Sequence, residues 1–192
     1  MLITIEGLDG AGKTTLAAAL AERLPGRVEV LREPGGVELA ERIRALVSDP
    51  ALRVDPLAEA LLFAAARAQL VAERVQPLLE AGATVVLDRF VDSSLAYQGA
   101  ARGLGVERVR AMNDFGVVPD VTLLLRADPR TAAARRAGPA DRLEREPEAF
   151  FGAVAEAYDA LAAAEPHRFR VLDATLPPDR VLAAALDALG ET

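Results

Sequence analysis

Short apolar runs alternate along this chain with longer stretches in which apolar residues recur at helical spacing. The runs are rich in Val, Ile and Leu and occupy positions 2–5, 28–31, 84–87, 121–125 and 169–172. The run at 84–87 is unbroken, which is typical of a strand that is buried on both faces of a parallel sheet. The pattern therefore predicts five strands.

Stretches with helical spacing separate these runs. They cover 15–24, 37–47, 57–81, 106–115, a short segment from 128, 147–164 and 179–189. Residues 93–105 are expected to form a connection that ends in a Gly-broken turn. Strands that alternate with helices indicate an α/β fold, a three-layer sandwich with a five-stranded parallel sheet between helices. We expect one domain over 1–192, interrupted by a short mobile insert at about 135–146.

The first connection carries a phosphate-binding motif. Residues 7–14 read GLDGAGKT, which is G-x-x-x-x-G-K-[ST] between a strand and a helix. Backbone N–H groups of such a loop bind phosphate oxygens, Lys13 reaches the terminal phosphates, and the Thr14 hydroxyl can ligate Mg²⁺. Lys13 is also the only lysine in the chain. The predicted ATP-binding residues are Gly7, Leu8, Asp9, Gly10, Ala11, Gly12, Lys13, Thr14 and Thr15.

Charge and composition exclude several classes of protein. The net charge of −7 lacks the basic footprint of a nucleic-acid-binding protein, and the absence of cysteine excludes disulfides and thiolate metal sites. No apolar run approaches the length of a membrane span, and no signal-like segment precedes the first strand. We therefore expect a cytoplasmic protein with neither a membrane nor a nucleic-acid partner.

Charged residues follow three of the predicted strands. They are Arg32 and Glu33, Asp88 and Arg89, and Arg126. Ligands of open α/β sheets lie at the carboxyl ends of the strands, so this excess of arginine predicts a second phosphorylated ligand. Asp88 is expected to support Mg²⁺, and Arg89 to grip a phosphate with both arms of its guanidinium.

Two further groups of residues have two readings each. Phe63 and Arg67 share a helix face, so they could stack on a base and bind its carbonyl, or belong to the core. Arg135, Arg136 and Arg142 lie in the Gly- and Pro-broken insert. They could close over transferring phosphates or form a solvated run of charge.

Taken together, these segments resemble the thymidylate kinase family. The stretches that carry the resemblance run from residue 5 to residue 162; they are IEGLDGAGKTT, LREPGG, LLFAAARAQ, VVLDRFVDSSLAYQGAARG, ADRLERE and FFGAVAEAYDALA. The resemblance implies a P-loop kinase that phosphorylates dTMP to dTDP with Mg²⁺ and ATP, in dTTP biosynthesis. It also implies a homodimer, with which the apolar helix around 57–81 is compatible.

The resemblance also assigns roles to individual positions. The implied catalytic residues are Lys13, Arg89, Arg135, Arg136, Arg142 and Asp9. The implied dTMP-binding residues are Asp9, Glu33, Phe63, Arg67, Arg89, Ser94, Tyr97 and Gln98. The implied Mg²⁺ residues are Thr14, Asp9, Asp88 and Glu144. Gly10 in the phosphate loop corresponds to the bacterial arrangement, in which arginines of the lid are catalytic.

Two other functions remain open on the sequence. One is a P-loop kinase of another small acceptor. The other is a nucleotide-hydrolysing switch protein, although a GTPase base-reading motif N-K-x-D is impossible when Lys13 is the sole lysine.

Overall fold

Five parallel strands form one sheet in the computed structural model, which describes residues 1–136 and 138–190. They are β1 (Leu2–Gly7), β2 (Val28–Arg32), β3 (Thr84–Asp88), β4 (Val121–Arg126) and β5 (Phe169–Asp173), in the order β2-β3-β1-β4-β5. All four pairings are parallel, as predicted. The expected insert at 135–146 and the expected domain end at 192 include positions outside the described residues.

The connections between the strands are helical. They are α1 (Lys13–Arg23), α2 (Glu38–Ser48), α3 (Pro56–Leu70), the π-helix π1 (Val71–Val75), α4 (Gln76–Glu80), α5 (Val91–Ser94), the π-helix π2 (Leu95–Ala101), α6 (Val106–Met112), α7 (Pro129–Ala134), α8 (Glu148–Ala164) and α9 (Pro178–Leu189). Parallel strands require such crossovers, and helices cover both faces of the sheet.

Alternate side chains of the central strands enter different apolar layers. Ile3 and Ile5 of β1 pack on one face with α1 and α9. On the other face, Leu2 packs with α2, α3 and π1, whereas Leu124 of β4 packs with π2, α6 and α8. The second face therefore holds two separate apolar clusters.

A polar seam lies between those two clusters. Thr4 and Glu6 of β1 point to this face, and both are fully buried. Thr4 hydrogen-bonds Thr122 through the two hydroxyls at 2.8 Å, and Thr122 also contacts the buried pair of Arg168 and Asp92. Buried polar groups are costly unless they are paired, so these residues satisfy one another.

Two stretches differ from the sequence prediction. Residues 93–105, expected to form a connection, are helical as far as Ala101 because π2 continues α5 directly. The long helix expected over 57–81 contains π1, which ends two residues before Pro77 in α4. Proline has no N–H and clashes with the carbonyl four residues earlier, and a π-helical turn accommodates both effects.

Candidate active site

The phosphate loop connects β1 to α1 as its motif predicts. Gly12 precedes α1 in the left-handed conformation, with φ of 97°. Lys13 is buried, and its Nζ donates to the carbonyl oxygens of Leu8 at 2.9 Å and Gly7 at 3.2 Å. Burial and the nearby Arg89 lower the Lys13 pKa to about 8, although Asp9 and Asp88 act against them. The loop therefore holds a buried lysine side chain whose charged form a bound anion would stabilise.

Gly10 brings the phosphate loop into contact with α7. A Cβ atom at Gly10 would lie 2.0 Å from the carbonyl oxygen of Ala132, and φ at this position is +90°. The Arg136 side chain lies near the same point. Any side chain at position 10 would therefore displace the helix that leads into the predicted lid arginines.

Thr14 and Asp88 meet where β3 ends. The Thr14 hydroxyl donates to Asp88 Oδ2 at 2.7 Å. Mg²⁺ in phosphoryl-transfer sites needs only one or two protein ligands, because phosphates and waters supply the others. This hydroxyl–carboxylate pair fits that requirement. Within residues 1–136 and 138–190 there is no group of three or more carboxylates or histidines arranged to hold a metal.

Arg89 has a left-handed backbone, with φ of 69°. Residues other than glycine rarely adopt this backbone conformation, which costs about 1–3 kcal/mol and occurs mainly at functional sites. The guanidinium donates to Asp9 Oδ1 at 2.6 Å, to Ser93 Oγ at 2.9 Å and to the Tyr97 hydroxyl at 3.3 Å. Although burial acts in the opposite direction, Arg89 and then Lys13 hold the Asp9 pKa well below its usual range.

Glu6 of β1 supports the segment that carries Arg89. Its carboxylate accepts from the Phe90 backbone N–H at 2.8 Å, from Ser93 Oγ at 2.6 Å and from the Tyr158 hydroxyl at 2.8 Å. Burial, and then the neighbouring Asp92, raise the Glu6 pKa. A glutamate within a buried central strand was a signal in the sequence that our prediction did not use.

A cavity opens beside Arg89 and contains all of the predicted acceptor residues. It is lined by Asp9, Glu33, Phe63, Arg67, Arg89, Ser94, Tyr97 and Gln98, all predicted, together with Pro34, Arg44, Val47, Ser48, Ser93, Asp141 and Leu143. The structure thus brings the whole predicted dTMP set into one place. Arg44 and Ser48 were missed because α2 presents them as ordinary helix-surface polar residues.

Arg67 is held by the protein itself. Its Nε donates to Glu33 Oε2 at 2.7 Å, and its other nitrogens donate to Ser94 Oγ, Asn113 Oδ1 and the Phe90 carbonyl. Burial raises the Glu33 pKa to about 7 in spite of the Arg67 charge, and Glu33 Oε1 has no partner in the described part of the chain. Little of the guanidinium's hydrogen-bonding capacity is therefore left for a base.

The three predicted lid arginines point to different places. Arg135 donates to the Ala174 carbonyl at 2.5 Å, beside a second cavity that Gly10, Ala11, Gly12 and Thr15 also line. Arg136 lies over the Phe151 ring and adds to the charges that lower the Asp9 pKa. Arg142 donates to Glu59 Oε2 at 2.7 Å, on the acceptor side.

Glu144 and two strand-end arginines have partners within the protein. Glu144 accepts from the Asp141 backbone N–H at 3.0 Å and so closes a local turn. Arg32 pairs with Glu41, and Arg126 with Asp159, both on exposed surface. Of the three strand-end arginines, Arg89 lines the acceptor cavity, and Arg126 lines a separate cavity beside Gly7 and Leu8 of the phosphate loop.

Comparison with known proteins agrees with this geometry. The family model described as thymidylate kinase matches residues 5–185. The chain belongs to the thymidylate kinase family. A thymidylate kinase of Deinococcus radiodurans is 48% identical over 200 residues, which cover 100% of this chain and 97% of that protein. One from Bacillus pumilus is 42% identical over 203 residues and covers 100% of this chain and 96% of the relative.

A solved structure extends the agreement to the fold. The crystal structure of thymidylate kinase from Ehrlichia chaffeensis superposes with a TM-score of 0.84 at 31% identity, covering 98% of each chain. The five-stranded parallel sheet between helices is thus the fold of the thymidylate kinase family. Among the described residues, no helix of this family member is long and apolar enough to cross a membrane.

Proposed function

We propose that this chain transfers the γ-phosphoryl group of ATP to dTMP and releases dTDP and ADP. The observation that carries the proposal is the 2.6 Å contact between Arg89 in the acceptor cavity and Asp9 in the phosphate loop. This contact joins a nucleotide-phosphate loop to a cavity that can hold a second nucleotide. Transfer between two bound phosphates is largely a matter of position and charge, and this arrangement supplies both.

The donor half of the site rests on the phosphate loop. The amides of residues 7–15 and the Lys13 ammonium would hold the ATP phosphates, and the cavity beside Thr15 and Arg135 has room for the nucleoside. Thr14 and Asp88 would hold Mg²⁺ with the phosphates. When bound, the ion neutralises phosphate charge. Asp9 and Glu144 complete the proposed metal residues; Asp9 pairs with Arg89, and Glu144 accepts from the Asp141 backbone N–H.

The acceptor half rests on the cavity beside Arg89. Arg89 would bind the dTMP phosphate, and Phe63, half-buried in the cavity wall, would stack on thymine. Tyr97 would lie against the deoxyribose. Ser94 and Gln98 would read the base, and Arg67, which Glu33 fixes, would act on the base through its hydrogen bond to Ser94.

The lid arginines have distinct proposed roles. Arg136 is the proposed transition-state residue, because its side chain lies beside Gly10 in the phosphate loop. Arg135 would contribute on the donor side, and Arg142 would hold the lid segment against α3. The lid itself, at about 135–146, remains part of the proposal.

Two properties of the whole protein complete the proposal. We propose a homodimer through α3, whose Ala58, Leu61 and Ala65 form an exposed apolar stripe at helical spacing. We also propose that the chain acts as one kinase domain in the cytoplasm, because ATP and dTMP are metabolites of that compartment.

A panel of acceptors tests the proposed reaction. Purified protein with Mg²⁺ and ATP is mixed with dTMP, dUMP, AMP, CMP or GMP, and ADP release is followed, with a control lacking any acceptor. We expect fast release with dTMP, slower release with dUMP and little with the others. Equal release without an acceptor would replace the kinase proposal with a nucleotide-hydrolysing switch.

A further inference from the structure

A buried carboxylate lies where the acceptor cavity meets the lid segment. Glu59 of α3 is 0% exposed. Arg102 donates to it at 3.1 and 3.2 Å, and Arg142 donates to Oε2 at 2.7 Å. Gln98 Nε2 donates to the other oxygen, Oε1, at 2.9 Å. The carboxylate thus lies between two guanidinium groups and one carboxamide.

These contacts fix the orientation of the Gln98 carboxamide. A carboxylate between two guanidinium groups only accepts hydrogen bonds, so Gln98 must turn its NH₂ group towards Glu59. Gln98 Oε1 then points the other way, and it accepts no hydrogen bond from residues 1–136 or 138–190. Since Gln98 lines the acceptor cavity, the free acceptor belongs to the cavity wall.

The orientation of Gln98 has a chemical consequence for the base. An oxygen acceptor pairs with the N3–H of thymine or uracil, whereas cytosine presents a lone pair at N3. Ser94 Oγ already accepts from Arg67 at 3.1 Å, so its hydroxyl hydrogen remains available to a base carbonyl. One acceptor beside one donor matches the N3–H and O4 of thymine.

We propose that Glu59 is a specificity-determining residue, which excludes cytosine from the acceptor cavity by fixing the Gln98 carboxamide with its oxygen towards the base. Glu59 acts through Gln98 and does not itself touch the acceptor. This inference rests on the proposed dTMP site. It gives Glu59 a role in the choice of base, in addition to its role as the counter-ion of Arg102 and Arg142.

The substitution Glu59→Gln tests the inference, because a neutral amide can donate as well as accept. Gln98 is then free to turn its NH₂ group towards the cavity and pair with N3 of cytosine. Sites that hydrogen-bond a substrate group reject analogues strongly, so the ratio of kcat/KM for dTMP over dCMP should fall at least about tenfold. A parallel loss of kcat/KM for both nucleotides would overturn the inference.

Asp92→Asn is the matched control. Asp92 is also a buried carboxylate that pairs with an arginine, Arg168, at 2.6 Å, but it does not line the acceptor cavity. Loss of the Asp92 carboxylate should lower the stability of the fold and leave the ratio of kcat/KM for dTMP over dCMP unchanged. An equal fall of the ratio in D92N and E59Q would attribute the effect to general loosening and overturn the inference.

Gln98→Leu separates this inference from the proposed site. If Q98L lowers the ratio and E59Q leaves it unchanged, only the role of Glu59 is wrong. If neither variant changes the ratio, the assignment of the acceptor cavity also fails.

A measurement on the unmodified protein covers the case in which E59Q does not fold. The chain has three glutamines, at 69, 76 and 98, so ¹⁵N-glutamine labelling gives three resolvable side-chain NH₂ groups. The NH₂ of Gln98 should exchange with water far more slowly than the other two, both without dTMP and at saturation. Exchange as fast as that of Gln76 in either state would contradict the orientation.

Discussion

The backbone of Arg89 explains how one side chain can line the acceptor cavity and also contact Asp9 in the phosphate loop. The left-handed conformation turns the guanidinium back towards Asp9, and Glu6 holds the next residues through Phe90 and Ser93. The sequence revealed Arg89 as a strand-end arginine. It did not reveal the conformation, because nothing local favours φ above zero in a non-glycine residue; the surrounding hydrogen bonds impose it.

Arg89→Lys keeps the charge and removes the fork of the guanidinium. Lysine cannot contact Asp9, Ser93 and an acceptor phosphate together. We expect kcat/KM for dTMP to fall about 100-fold or more, since charge-assisted hydrogen bonds of about 1.5–3 kcal/mol each are lost. The Kd for ATP, measured by calorimetry on the same variant, should change less than about twofold. A parallel loss of ATP affinity would contradict the acceptor role.

Binding of an ATP analogue should take up protons near pH 8. The Lys13 pKa is lowered to about 8 by burial and Arg89, so the free protein holds a partly neutral lysine at that pH. Phosphates favour the charged ammonium and raise its pKa again, so protonation accompanies binding and affinity falls as the pH rises above about 8. Calorimetry in buffers with different ionisation enthalpies measures this uptake.

Lys13→Arg provides the control for that experiment. Arginine stays charged throughout this pH range, so its binding enthalpy should not depend on the buffer. Buffer-independent enthalpy in the unmodified protein would mean that Lys13 is already fully charged without a nucleotide.

At the scale of elements, the prediction of strands and helices succeeded where the apolar residues follow a single spacing, either that of a strand or that of a helix. All five strands lie where short apolar runs predict them, and α1, α2 and α8 are within two residues of expectation. The prediction for the segment after Phe90 was wrong because Gly99, Gly103 and Gly105 indicate a turn. In the structure, π2 packs against α6 and α8, and the segment is helical as far as Ala101. Tertiary contacts outweigh local propensity there.

The approach of α7 to the phosphate loop depends on Gly10. In Gly10→Ala, the added Cβ would lie 2.0 Å from the Ala132 carbonyl oxygen, so α7 must move and carry Arg136 with it. We expect kcat to fall at least about tenfold with a smaller change in KM for dTMP, because contacts formed in the transition state are lost. Steady-state kinetics with both substrates varied would measure this.

Gly26→Ala is the matched control for this contact. Gly26 also has a positive φ, of +78°, but nothing lies within 4 Å of the added Cβ. It should therefore lower stability through backbone strain and leave kcat unchanged. A loss of kcat in both variants would indicate that strain, and not the position of α7, limits the reaction.

At the scale of the whole molecule, the exposed face of α3 opposes the wall of the acceptor cavity. Leu61 is 51% exposed, whereas Arg67 and Glu59 on the same helix are buried. The sequence identified this helix as apolar through most of its length. It could not reveal which part of the apolar surface the fold leaves uncovered, because that depends on how α2 packs against α3.

Leu61→Glu tests the proposed homodimer. A charge in the centre of a small apolar stripe must be desolvated in any α3–α3 contact, so the variant should be monomeric at micromolar concentration by sedimentation. Val118→Glu is the control, because Val118 is 75% exposed and lies outside α3. Sedimentation of L61E as a dimer would exclude α3 as the interface.

The polar seam on one face of the sheet lies between two parts of the molecule that we expect to open separately. Thr4, Glu6 and Thr122 separate two apolar clusters that share the same sheet, and hydrogen bonds hold the seam where apolar packing holds the clusters. Cooperative opening units often coincide with groups of neighbouring elements that pack together. The amides of π2, α6 and α8 should then exchange with deuterium as one group, earlier than those of β1 and β3, so that the acceptor site can loosen while the phosphate loop stays formed.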